Sequence, residues 1–207
     1  AKKIVLEALK PMGEEYVNTL KNAFENRWLD VLEKENKRGG AYSMGVYGVH
    51  PFVLLNYINS SRDISTIAHE LGHAFHNTRL FHLSQINSFY PMPIAETASN
   101  FCETIVVNEA LKEADENSAL IIRENDLQGA TQCIIDIYSR FLFEDSVFKA
   151  REKGSLSPEE CCGLMIDAQK KAYGEGLDEN YLHPYMWVCK PHYYDADFNY
   201  YNFPYAF

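Results

Sequence analysis

No stretch of this 207-residue sequence approaches 18 consecutive apolar residues, so it holds no candidate membrane-spanning helix. No signal-like segment opens it, and the expectation is a chain without a secretory leader. Positive charge is scarce: 19 Lys and Arg stand against 29 Asp and Glu, a net charge of −10. That balance argues against nucleic acid or an anionic membrane as partner. Five cysteines, Cys102, Cys133, Cys161, Cys162 and Cys189, form an odd set with no framework spacing. They exclude a disulfide scaffold and predict reduced thiols in a cytoplasmic protein. Adjacent Cys161-Cys162 lacks any histidine or further cysteine that would make it a metal pair. Repeats, low-complexity tracts and flexible linkers are missing too. What remains, 46% apolar and 23% charged, describes an ordinary soluble globular protein with enough chain for one good core.

The chemistry concentrates in His69-Glu70-Leu71-Gly72-His73. On a helix, residues i and i+4 share one face, so both imidazoles can grip one metal ion. Glu70 is offset by about 100° in projection, within reach of a metal-bound water without being a ligand itself. Ser61 or Asp63 can cap the helix, and Ile64, Ile67, Ala68 and Leu71 form its apolar stripe. The spacing predicts a buried helix over about 63–80. The competing reading is a core helix whose histidines are satisfied by hydrogen bonds.

A catalytic zinc needs a third protein ligand and keeps its fourth position for water. A metzincin would place glycine three and histidine six residues after His73; His76 and Arg79 stand there instead, which excludes that class. The better candidate is Glu96, on a helix that Pro91 and Pro93 can start. Ser99 and Glu103 follow it at i+3 and i+7 on the same face, and Glu103 is placed to accept the second N–H of a ligating histidine. The alternative for Glu96 is a solvated acid favoured by the helix dipole.

Along the rest of the chain, Tyr16, Leu20, Phe24 and Val31 predict one long helix over Pro11 to about Asn36, ended by Gly39-Gly40. Residues 41–58 read as a small β element: Ala41-Tyr42-Ser43, a turn at Gly45 and Gly48, then Phe52 to Tyr57, with Pro51 starting an edge strand. After the metal helix come a loop over 81–91, the Glu96 helix to about Ala114, and a long helix over about 118–153 with a buried seam of Ile134, Ile137, Tyr138 and Phe141. Ser157 and Pro158 then start a strong helix that runs to about Tyr173. Residues 174–184 form a loop and Tyr185 to Cys189 a short connector. The fold class is mainly α, a helical catalytic core with a small β element upstream of the metal-binding helix, in a single unit over 1–207.

Four ordered blocks of this chain resemble the thimet oligopeptidase and oligoendopeptidase F family, zinc peptidases of the gluzincin type. They are Arg38-Gly39-Gly40-Ala41-Tyr42-Ser43 with Pro51 to Asn56, the His69–His73 motif, Ile94-Ala95-Glu96-Thr97-Ala98-Ser99, and Lys190-Pro191-His192-Tyr193-Tyr194 with Tyr200 to Phe207. The resemblance implies one Zn2+ held by His69, His73 and Glu96, and a water activated by Glu70. It implies an oxyanion stabilised by His192 and by tyrosines among Tyr200, Tyr201 and Tyr205. Phe203 stands where the thimet-type branch has a further tyrosine. It also implies that the strand Gly39-Gly40-Ala41-Tyr42 pairs with the substrate backbone. Members of that family are far longer, so the expectation is a catalytic-core fragment whose partners are short peptides and the remaining segments of a full-length protein. The function expected is a zinc metalloendopeptidase acting on oligopeptides. Alternatives are a non-catalytic peptide-binding fragment, which loss of Glu70 or His192 would mark, and a zinc hydrolase of another amide. A helical scaffold with a structural zinc would want four protein ligands, often cysteines, and none is spaced for it.

Overall fold

In the computed structural model of the protein, residues 1–60, 62–91 and 94–194 are described. The chain divides into two compact units, Ala1–Asn125 and Asp126–Phe207. The elements are mainly helical with one small sheet.

In the first unit, α1 (Lys2–Ala8) and α2 (Glu14–Glu25) precede β1 (Leu29–Leu32), β2 (Tyr42–Met44) and β3 (Phe52–Tyr57). The single long helix expected over residues 11–36 is therefore a correction. Its helical spacing holds only to Glu25, because Arg27 takes a left-handed φ of 58° and the Trp28 N–H turns back to Ala23 O. Residues 29–32 then pair in parallel with β3, in register Leu29↔Val53 and Asp30↔Leu54. The following loop is pinned by Lys37, whose ammonium donates to the carbonyls of Asp30, Leu32 and Leu55 at 2.8–3.0 Å.

The sheet order is β1-β3-β2. Pro51 thus leads into the central strand rather than an edge strand, and β1 and β2 form the edges, β2 antiparallel to β3. The strand expected over residues 39–42 begins only at Tyr42. Gly40 departs from extended backbone at φ 83°, and Asn56 Nδ2 donates to the carbonyls of Arg38 and Gly40, holding that stretch as a bend.

Helix α3 (Arg62–Leu80) lies on this sheet and against α4 (Thr97–Glu113). Asp63 does not cap α3; it lies inside the helix, and its carboxylate accepts from the Ile58 and Ser60 N–H groups at 3.1 and 2.8 Å. Ser61, the other candidate cap, and Pro93 fall outside the described residues. Ile67, Ala68 and Leu71 on α3 join Val5, Leu9, Leu20, Val53, Leu55, Cys102 and Val106 in the core. Burying such side chains contributes about 1.5–3 kcal/mol each, which is what holds α3 in place.

Helix α5 (Glu116–Thr131) passes through a π turn, Gln132–Asp136, into α6 (Ile137–Arg151) of the second unit. Of the expected seam only Ile137 is buried: Ile134 and Tyr138 are exposed, and Phe141 is half-buried. The wider π turn rotates the helix phase, so that Asp136, Arg140 and Phe143 face inward instead. Asp136 is paired with Arg140 and accepts from Tyr173 Oη at 3.1 Å. Helix α7 (Pro158–Tyr173) starts on a capping box: the Glu160 N–H donates to Ser157 Oγ at 3.2 Å and the Ser157 N–H to Glu160 Oε2 at 2.7 Å. Leu142, Phe143, Met165 and Ala168 form this unit's core. Among the described residues no helix is long and apolar enough to cross a membrane.

Candidate metal centre

Two helices of the first unit build the site. On α3, His69 and His73 stand one turn apart with their rings 5.0 Å apart and nearly perpendicular. Glu96 is the N-cap residue of α4, with its backbone still in the right-handed helical region, and its side chain reaches α3. Its Oε2 lies 3.1 Å from His69 Nε2 and 3.1 Å from His73 Nε2. Among the described residues, these three form the one group able to hold a metal ion.

The neighbours fix each donor. Glu103 Oε2 accepts from His69 Nδ1–H at 3.1 Å, so that whenever the ring gives up a proton to bind a metal it is Nε2 that carries the lone pair. Ser99, fully buried, donates its hydroxyl to Glu96 O at 2.9 Å and to Glu96 Oε2 at 2.7 Å. Asn77 donates to the His73 carbonyl at 3.0 Å, one turn further on.

Electrostatics here favour positive charge. Burial pulls the His69 imidazolium down, but its bonds to Glu103 and Glu96 outweigh that and hold its pKa up at about 10. Burial pushes Glu96 up, and the two histidines overcome it, leaving the carboxyl well below the usual carboxylate range. Glu70 behaves otherwise: burial raises its pKa against the pull of His69 and His73. Its Oε2 is buried and has no hydrogen-bond partner among the described residues. An orphaned carboxylate oxygen in the interior is costly unless a solvent molecule or ligand satisfies it.

The donor set fits a divalent cation. Ligands about 2.1 Å from a tetrahedral zinc ion sit roughly 3.4 Å from one another, close to the observed separations of 3.1 Å. Two imidazoles and one carboxylate, with no fourth ligand among the described residues, are the donor set of an open metal site rather than of a closed structural one.

The other expected site residues fall elsewhere. Gly39, Gly40 and Ala41 form the bend before β2, and Tyr42 opens that strand. His192 lies half-buried in the second unit, in the 3-10 turn Pro191–Tyr194. That turn is fastened by Tyr193, which donates to Arg140 O at 3.1 Å and sets its ring 5.2 Å from Phe143. Tyr200, Tyr201 and Tyr205, with Phe203, lie outside the described residues. One residue escaped the sequence reading altogether. Gly72, within the motif, meets the backbone of α4; its signal was the presence of a glycine in a helix interior, where it is unfavourable unless something needs the space.

Residues 3–207 match the sequence model of Peptidase family M3. The chain is 36% identical to Oligopeptidase PepF of Bacillus subtilis over 210 residues, covering 100% of this chain and 31% of that protein. It is 34% identical to the chromosomal Oligoendopeptidase F of Lactococcus lactis subsp. cremoris, covering 97% and 33%. In structure it is similar to oligoendopeptidase-F from Enterococcus faecium, with a TM-score of 0.59 at 23% identity over 99% of this chain and 29% of that one. The structure of PZ peptidase A with an inhibitor gives a TM-score of 0.76 at 21% identity, over 97% and 37%. The chain spans about a third of the length of the curated relatives it matches.

Proposed function

Since the chain belongs to peptidase family M3, we propose that it carries the metal centre of a zinc-dependent endopeptidase acting on short peptides. In this reading His69, His73 and Glu96 hold one zinc ion, and Glu70 is the general base. The observation that carries it is the meeting of His69 Nε2, His73 Nε2 and Glu96 Oε2, beside a Glu70 carboxylate whose buried oxygen has no hydrogen-bond partner among the described residues.

When bound, zinc supplies a Lewis acid that polarises a peptide carbonyl and lowers the pKa of a coordinated water to about 7. The remaining work falls to side chains of this chain. Glu70 takes the proton of the attacking water on its free carboxylate oxygen and returns it to the leaving amine. Glu103 keeps the His69 proton on Nδ1 and so keeps Nε2 available, while Ser99 orients the Glu96 carboxylate. For the negative charge that develops on the carbonyl oxygen, His192, Tyr200, Tyr201 and Tyr205 are the candidate donors, each such donor being worth about 3–4 kcal/mol. The edge strand β2, entered through Gly39-Gly40-Ala41-Tyr42, offers backbone groups with which an extended peptide can pair. All five cysteines are free thiols, in keeping with a reducing compartment, and we place the protein in the cytoplasm.

The test is Glu70→Gln, which keeps the size and removes the proton acceptor. The variant should retain one zinc per chain by elemental analysis and lose about 10²–10⁴-fold in kcat on a quenched peptide. Undiminished turnover would remove Glu70 from the mechanism, and a chain without stoichiometric zinc would remove the metal.

A further inference from the structure

Gly72 is the single glycine of α3 and lies between the two histidines, three residues after His69 and one before His73. In a helix interior it costs about 1 kcal/mol relative to alanine. The surroundings explain why it is there. A β-carbon at this position would lie 2.7 Å from Ala98 O and 2.7 Å from Ser99 Cα. Both are backbone atoms of α4, so no side-chain rotation relieves the overlap. Ordinary contact begins at 3.4 Å, and α4 would have to retreat by about 0.7 Å.

The point of contact is also the point that carries Glu96. Ser99, whose Cα a β-carbon on Gly72 would strike, holds Glu96 through the bonds to its carbonyl and its carboxylate. A retreat of α4 therefore moves Glu96 away from an imidazole pair that stays fixed on α3. Metal-ligand distances tolerate only about 0.2 Å, so a displacement of that size loses a ligand rather than stretching it.

We propose that Gly72 is a positioning residue of the metal centre: the bare backbone at this position sets the spacing between α3 and α4 at which Glu96 reaches His69 and His73. This rests on the metal-centre reading given above. The experiment is a double-substitution cycle on the 207-residue chain, read by competitive zinc titration with far-UV circular dichroism alongside. Gly72→Ala should weaken zinc binding by about 10- to 100-fold, the range for losing a ligand's support. In a Glu96→Ala background the same substitution should weaken it no further, because the ligand it displaces is already gone. Leu20→Ala, which removes a fully buried side chain from the same core on α2, should lower stability and leave zinc affinity unchanged. Unaltered affinity in Gly72→Ala, or a loss that persists in full in the Glu96→Ala background, would overturn the assignment. So would loss of helical dichroism in Gly72→Ala, which would make the glycine a requirement of folding in general. Absence of zinc binding by the unsubstituted chain would instead overturn the metal-centre reading beneath it.

Discussion

Three carboxylates, Glu70, Glu96 and Glu103, stand around the two imidazoles, and their environments differ. Glu96 is held ionised by its histidine partners, whereas burial drives Glu70 the other way. A ligand should be ionised and a base should hold a proton readily, so the split matches the two roles proposed. Glu103 is the most open of the supporting groups, with 40% of its side chain exposed. Glu103→Ala should therefore leave thermal unfolding almost unchanged while lowering zinc affinity by about 10- to 100-fold, as the His69 ring loses its anchor. Competitive titration with a chromophoric chelator measures this; equal affinities would show that Glu103 gives His69 no support. Much of this site was legible beforehand because its information is local. The i, i+4 pair and the i+3 and i+7 spacing from Glu96 to Ser99 and Glu103 each lie on one helix face. Gly72 was not legible in the same way, since a missing side chain leaves no pattern and its meaning resides in Ala98 and Ser99, on a different helix.

Among the elements, those bounded by short-range hydrogen bonds could be read directly. Helix α7 begins at Pro158 and ends at Tyr173, as expected, because Ser157 and Glu160 satisfy each other's backbone within four residues. Ser157→Ala should cost about 1 kcal/mol, measurable as a lower denaturant midpoint at unchanged slope. A midpoint equal to that of the unsubstituted chain would mean that the cap contributes nothing. The elements that could not be read depend on distant partners. Residues 29–32 continue a plausible helical spacing, yet β3, more than twenty residues further on, claims them for a parallel ladder. No local pattern announces a parallel pairing, and β1 is only four residues long with Asp30 interrupting its apolar side chains. The seam of α6 held only in part for another reason: the π turn at Gln132–Asp136 breaks the 3.6 period, so that Ile134 and Tyr138 are exposed while Ile137 stays buried.

For the molecule as a whole, the decisive fact is proportion. The chain is about a third as long as Oligopeptidase PepF of Bacillus subtilis, and the match lies across all of it. We propose that these residues act as a single catalytic core within a longer enclosure. The 207-residue chain should then bind zinc stoichiometrically, turn over peptides with a lower kcat/KM than that relative, and show no sharp limit on peptide length. Comparable kcat/KM and an identical length limit, measured on a ladder of quenched peptides, would contradict this. The sheet adds a constraint of its own. β2 spans only three residues between the bend at Gly40 and Gly45, and one of its edges is bonded to β3. A rim this short is a poor template for fibril-like self-stacking, which thrives on long flat edges. The same brevity limits any guest strand to a few main-chain contacts, so an incoming chain would be held by its backbone without regard to composition, and released as easily.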